Sequence, residues 1–141
     1  MTYEQWEAQV PPELKSDTLW RVKAYRLALF LSDLAWYDSL KLGKNRRTVA
    51  TADQLYRAAS NVSSNLAEGY SRGSGRDRAR LYEYALGSVR ESRDWYYKGR
   101  HVLDSVVIAH RLALCTELIR LTLTMISQER RSNRRIRTAE S

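Results

Sequence analysis

Cysteine, proline and long apolar runs are scarce in this sequence, and each absence excludes a class of protein. Cys115 is the single cysteine, which excludes a disulfide within the chain and a zinc site built from cysteine pairs. The two prolines are adjacent, at Pro11 and Pro12, so no proline interrupts helix formation in the rest of the chain. The longest apolar run, 27–31, is far shorter than the roughly 20 residues that span a bilayer. The amino terminus also lacks the segments of a signal peptide, so we expect a soluble, cytoplasmic protein that contacts no membrane.

Positive charge is in excess and is unevenly distributed along the chain. The net charge is +8 and the pI about 9.9, which favours anionic partners and says nothing about the fold. Basic residues concentrate in the segments 41–47, 71–80 and 130–141, while the rest of the chain is mildly acidic. With 43% hydrophobic residues, a chain of this length can bury one core without metal or disulfides.

Apolar residues recur every three or four positions in four long segments, which is the spacing of amphipathic helices. The pattern predicts helices at about 17–42, 48–70, 74–100 and 104–128, joined by short loops. Short loops between long helices indicate antiparallel neighbours. The sequence therefore predicts an all-α fold, an antiparallel up-down-up-down four-helix bundle over residues 17–130. A leader at 1–16 precedes the bundle, and a basic tail at 131–141 follows it.

The predicted topology sorts the basic segments between the two ends of the bundle. The loop between the second and third helices and the tail after the fourth emerge at one end, and the first loop emerges at the other. The forked donors of arginine suit phosphate oxygens. The alternative is that these charges are merely solvated or complement helix dipoles. The candidate nucleic-acid-binding residues are Arg72, Arg76, Arg78, Arg80, Arg130, Arg131, Arg134 and Arg135 at one end, and Arg46 and Arg47 at the other.

A search for catalytic and metal-binding residues finds no complete set. A di-metal bundle site needs a glutamate three residues before each histidine, and neither His101 nor His110 has one. Cys115 lies on an apolar helical stripe, where a thiol more often packs than reacts. Glu68 and Glu91 fall on different helices, too far apart to share a reaction centre. We therefore expect no catalytic residue, no metal site, no cofactor and no small-molecule substrate.

Aromatic and small residues leave two interpretations open. Trp36, Tyr37 and the run 95–97 can stack on bases, or they can fill the core or a subunit interface, which is the more usual role at helical spacing. Ser60, Ser63 and Ser64, with Gly87 and Ser88, are expected to allow the second and third helices to approach closely.

Two stretches resemble a bacterial family, the four-helix-bundle proteins encoded in intervening sequences of 23S rRNA genes. The first is 60–72, Ser-Asn-Val-Ser-Ser-Asn-Leu-Ala-Glu-Gly-Tyr-Ser-Arg, and the second is 81–91 on the next helix. The positions that match the family pattern are Asn65, Ala67, Glu68, Gly69, Arg72, Ala85, Gly87, Ser88 and Glu91. Val62 and Leu66 replace the usual isoleucines, and the basic tail after Arg130 has no counterpart in the motif.

The resemblance implies a structural role for Asn65, Glu68, Gly69, Gly87, Ser88 and Glu91. The family is similar to the accessory variability determinant proteins of diversity-generating retroelements, which are basic pentameric barrels thought to bind nucleic acid and to assist a reverse transcriptase. We therefore expect a homo-oligomeric ring, a pentamer, with a reverse transcriptase as one candidate partner. Two functions stay open: a non-enzymatic protein that binds RNA or DNA, and an interaction scaffold whose basic ends dock a protein or nucleoprotein.

Overall fold

The computed structural model describes residues 1–140, which form α-helices, short 3-10 turns and loops without any β-strand. Two short helices come first, α1 (Tyr3–Glu7) and α2 (Pro12–Lys15), followed by a 3-10 turn at Thr18–Arg21. The long helices are α3 (Lys23–Leu42), α4 (Val49–Tyr70), α5 (Gly75–Lys98) and α6 (Ser105–Glu140), with a 3-10 turn at Gly99–His101 between the last two. The predicted all-α class is confirmed.

The long helices pack side by side: α3 on α4, α4 on α5, α5 on α6, and α6 back on α3. The hydroxyl oxygens of Ser32 and Ser60 lie 3.3 Å apart, and the rings of Trp36 and Tyr56 lie 5.4 Å apart, so α3 and α4 run in opposite directions. Burial of aliphatic side chains from all the long helices forms the core and supplies most of the stability. Fully buried members of this core are Leu31, Leu42, Leu55, Val62, Leu66, Val89 and Leu118.

Glycines allow close contact at two of these helix pairs. A Cβ atom at Gly69 on α4 would lie 2.7 Å from the Cε1 atom of Tyr82 on α5, which is closer than real contacts allow. A Cβ atom at Gly75 would lie 2.9 Å from the main-chain oxygen of Glu129 on α6. Gly87 is not at a close helix contact, because nothing lies within 4 Å of the position that a Cβ atom would take there. The expectation that Gly87 lets the second and third helices approach is therefore wrong, and Gly69 has that role.

The first and last long helices differ from their predicted bounds. The first begins at Lys23 and not near residue 17, because Val22 is extended and the Asp17 carboxylate caps the preceding 3-10 turn. The last continues to Glu140, so the segment expected to be a tail is helical over its described part, and its final residue, 141, lies outside the described residues. Residues 129–140 contain no proline or glycine, and atoms of Glu129 and Asn133 lie within 3.5 Å of the position that a Cβ atom would take at Gly75. The beginning of this extension therefore lies close to the first turn of α5.

The leader is folded onto α3 through aromatic packing. Trp6 is buried and donates its indole N–H to the Asp33 carboxylate at 2.6 Å. Its ring lies 5.4 Å from that of Phe30 and stacks 6.2 Å from that of Trp20. No helix among residues 1–140 is both long and apolar enough to cross a membrane.

Candidate nucleic-acid interface

A groove of about 820 Å³ separates the first turns of α5 from the last turns of α6. We call it the α5–α6 groove. Its walls carry five arginines against two carboxylates, and the complete lining is Ser74, Arg76, Asp77, Ala79, Arg80, Glu83, Arg130, Asn133, Arg134 and Arg137. The groove is therefore positively charged and open to solvent.

Local structure fixes the position of both walls. Ser74 caps α5 by accepting a hydrogen bond from the main-chain N–H of Asp77 at 3.2 Å. Arg78 donates from Nε to the Glu129 carboxylate at 2.9 Å and from Nη1 to the main-chain oxygen of Arg72, also at 2.9 Å. The Arg78–Glu129 pair is largely shielded from solvent, and it joins α5 to α6 beside the groove. Arg78 therefore stabilises the packing of α5 on α6, and its guanidinium group is already hydrogen-bonded to the protein itself.

Three other candidate arginines are paired with carboxylates at the surface. Arg72 pairs with Glu68 at 2.6 Å, and Arg80 pairs with Asp77 at 3.9 Å. Arg130 pairs with Glu83 across the groove, from α6 to α5. Exposed pairs of this kind are weak, so a phosphate can replace the carboxylate. Four further candidates are exposed and form no ion pair within the described residues: Arg76, Arg131, Arg134 and Arg135.

The structure brings only part of the candidate set together. Arg76, Arg80, Arg130 and Arg134 line the α5–α6 groove, while Arg72 and Arg78 lie beside its α5 wall. Arg131 and Arg135 are on α6 but not among the lining residues. Arg46 and Arg47 line a different groove at the far end of α4, which spans 22 residues and hence about 33 Å.

The family-motif residues divide between packing and the surface. Gly69 is buried against Tyr82, and Asn65 donates its side-chain amide to the main-chain oxygen of Asn61 at 2.9 Å. The main-chain oxygen of Ser88 accepts a hydrogen bond from Ser92 at 2.8 Å. Glu68, Gly87 and Glu91 are exposed. The motif therefore includes a surface that the monomer does not use for packing.

A buried polar network, which the sequence did not predict, joins three of the long helices. Asp38 on α3 accepts hydrogen bonds from the Tyr96 hydroxyl at 2.7 Å and from Arg111 at 2.7 and 3.2 Å. Burial, together with the Asp38 charge, raises the pKa of Tyr96. Burial would lower the pKa of Arg111, but the hydrogen bonds and charge of Asp38 outweigh it and the pKa is raised. Asp38 continues the three- and four-residue pattern of the buried positions 31, 34, 35 and 42 on α3. This pattern could have predicted that the Asp38 side chain is buried.

Burial shifts the pKa values of two further reactive side chains, Cys115 and His110. Burial raises the pKa of the Cys115 thiol to about 12, so the thiol is protonated and unreactive at neutral pH. Burial, followed by the neighbouring Arg111 charge, lowers the pKa of His110. Within residues 1–139, whose side chains the structure describes, no three histidine, cysteine, aspartate or glutamate side chains come together to hold a metal ion.

The sequence matches a known protein family over most of its length. A family model described as 23S rRNA-intervening sequence protein matches residues 22–124, from the start of α3 to the middle of α6. The match includes the α5 wall of the α5–α6 groove and ends before the α6 wall. No curated protein matches the chain.

Proposed function

The chain belongs to the 23S rRNA-intervening sequence protein family, and we propose that it is a non-enzymatic, oligomeric protein that binds RNA or DNA. The phosphate backbone would lie in the α5–α6 groove. The observation that carries the proposal is the gathering of five arginines, from two helices far apart in sequence, around one open groove.

The position of Arg76 supports an anionic ligand. Arg76 is in the first turn of α5, where the helix dipole is positive and a cation is unfavourable. Asp77 in the same turn already supplies one negative charge, and a phosphate in the groove would add a second one near the arginine and the positive end of the dipole. Contacts of this kind hold the backbone without reading base sequence, so binding would be general and sensitive to salt.

The paired arginines fit the same mechanism. Arg80 and Arg130 are held in the groove by Asp77 and Glu83, which keeps their guanidinium groups in position before a ligand arrives. On binding, phosphate oxygens would take the place of these carboxylates. Bidentate arginine–phosphate pairs are stronger than exposed ion pairs in water.

We further propose an antiparallel up-down-up-down bundle that assembles with copies of itself. Trp36, Tyr37 and Leu40 on α3 are 50%, 61% and 52% exposed, and Tyr84 on α5 is 53% exposed next to the open surface at Gly87. Apolar surface of this kind favours association. The family resemblance implies a ring of five, which would repeat the groove around the assembly.

The second candidate is an interaction scaffold that docks a protein, such as a reverse transcriptase, without touching nucleic acid. It is favoured by the two carboxylates within the groove, which suit a partner of mixed charge better than a polyanion. The two candidates differ in salt dependence, because release of counterions from phosphates gives a steep dependence on salt concentration.

The deciding experiment is fluorescence-anisotropy titration with labelled RNA and DNA at several salt concentrations. The wild type is compared with Arg76→Gln/Arg134→Gln, which removes two charges that have no ion-pair partner among the described residues. The control, Arg57→Gln/Arg90→Gln, removes two exposed charges away from both grooves. We expect the groove variant to bind at least tenfold more weakly and with a shallower salt dependence. Equal affinity of the two variants would contradict the groove assignment, and no binding by the wild type at low salt would favour the scaffold.

A further inference from the structure

A second basic groove lies at the opposite end of the molecule. It has a volume of about 730 Å³, and it is formed by the α3–α4 loop together with the end of α5 and the turn that follows. We call it the distal groove. Its lining contains no carboxylate and consists of Lys44, Asn45, Arg46, Arg47, Thr48, Thr51, Lys98, His101 and Val102.

The loop that carries the distal arginines has a fixed conformation. The Thr48 hydroxyl is buried and donates to the main-chain oxygen of Leu42 at 2.6 Å. The Asn45 side chain accepts a hydrogen bond from the main-chain N–H of Arg47 at 2.9 Å. Gly99 lies against Leu42, with its Cβ position 3.1 Å from a methyl group, and this contact brings the end of α5 to the loop. The groove is therefore assembled from three segments, each held in place by buried contacts.

Three of the cations that line the distal groove are not used in ion pairs of the described fold. Arg46 and Arg47 come directly before α4, whose amino terminus is the positive end of its dipole. No side chain caps this end, and its first turn contains no acidic residue. Lys44, Arg46 and Arg47 form no ion pair within the described residues, whereas Lys98 pairs with Asp94 at 2.6 Å. The cations before α4 and the amino-terminal end of its dipole are both positive, so an anion in the groove would interact favourably with both.

We propose that the distal groove binds the phosphate backbone of a second nucleic-acid segment, so that one protomer holds two segments at its two ends. This inference rests on the function proposed for the α5–α6 groove. The length of α4 separates the grooves by about 33 Å, so each contacts different phosphates. The protein would act as a bridge between strands, or between distant parts of one folded strand.

The test is the number of short oligonucleotides bound per protomer, because this number does not depend on the oligomeric state. A short single-stranded RNA is titrated at a protein concentration above the dissociation constants of the wild-type sites and below the at least tenfold higher values expected for the substituted sites, and the end point is read by anisotropy and by calorimetry. We expect two molecules per protomer for the wild type, one for Arg46→Gln/Arg47→Gln and one for Arg76→Gln/Arg134→Gln. The four-fold variant that combines these changes should bind none.

Controls separate this inference from the function on which it rests. Arg57→Gln/Arg90→Gln loses the same charge and should still bind two molecules, and circular dichroism should show unchanged helicity in every variant. One molecule per protomer for the wild type, or two for Arg46→Gln/Arg47→Gln, would overturn the distal site and leave the α5–α6 groove intact. No binding by the wild type would overturn the proposed function itself. Loss of one molecule by the Arg57/Arg90 control would show that net charge alone governs binding, which also contradicts the inference.

Discussion

Tyr96 donates its hydroxyl hydrogen to the Asp38 carboxylate across 2.7 Å, although the two residues come from different helices and both are buried. The same carboxylate receives two hydrogen bonds from Arg111, so it joins α3, α5 and α6 near one end of the molecule. Both partners depend on Asp38, because its carboxylate accepts the hydrogen bond of the Tyr96 hydroxyl and those of Arg111 Nε and Nη2. The network therefore aligns these three helix ends, and with them the α5 end that contributes to the distal groove.

We expect Asp38→Asn to be more damaging than Tyr96→Phe. Asp38→Asn leaves Arg111 as a poorly compensated charge with little exposure to solvent, at a cost of about 3–5 kcal/mol. Tyr96→Phe removes one hydrogen bond to a charged group, at a cost of about 1.5–3 kcal/mol. Urea unfolding followed by circular dichroism measures both free energies. The reverse order would show that the Tyr96 hydroxyl, and not the ion pair, holds the network together.

The second prediction concerns stability at high pH. The pKa of Cys115 is raised by burial from its ordinary value of 9.0 to about 12. Below pH 9 both the folded and the unfolded thiol are protonated, and stability does not depend on this group. As the pH rises from about 9 towards 12, only the unfolded state releases the proton, so the free energy of unfolding falls.

Urea unfolding between pH 8 and pH 11 tests this prediction, with Cys115→Ala as the comparison. The variant should be less stable at pH 8 because of the cavity, but its stability should fall less steeply with rising pH. A thiol reagent gives an independent measurement, since Cys115 should react only at the rate of unfolding. Fast reaction with the folded protein at pH 8 would contradict the assigned burial.

The sequence predicts the class of the fold and the approximate position of each long helix, because apolar periodicity and glycine positions are local signals. It does not predict the start of α3, where Val22 adopts an extended conformation that no local motif marks. It also assigns residues 131–140 to a tail, since most of their side chains are polar and the packing of Asn133 near Gly75 joins residues that are distant in sequence. Pairing of Arg78 with Glu129 likewise depends on tertiary structure. Candidate arginines can be selected from sequence, but which of them are already paired cannot.

Gly69 and Gly87 form a matched pair for the third prediction. Gly69→Ala places a methyl group 2.7 Å from the Tyr82 ring and 3.1 Å from Leu81, which should cost about 1–3 kcal/mol through overpacking. In Gly87→Ala the added methyl group has no atom within 4 Å. Because alanine has a higher helix propensity than glycine, this variant should stabilise α5 by up to about 1 kcal/mol. Thermal unfolding compares the two. Analytical ultracentrifugation of the Gly87 variant adds a test of assembly, because a smaller oligomer would place Gly87 in a contact between copies.

The last prediction follows from the pair between Glu83 and Arg130 across the α5–α6 groove. Glu83→Gln releases Arg130 from its carboxylate and adds one net positive charge to the groove walls. If phosphate must displace Glu83 in order to bind, this variant should bind RNA several-fold more tightly, with a steeper dependence on salt.

The matched control for Glu83→Gln is Asp53→Asn, which releases Arg57 from a similar exposed pair on α4, away from both grooves. Anisotropy titration of the two variants at equal ionic strength separates a local effect from a change in net charge. Tighter binding by both would indicate attraction to the whole protein. Weaker binding by Glu83→Gln alone would mean that Glu83 is needed to hold Arg130 in position, so that the pair orients the arginine and does not compete with the phosphate.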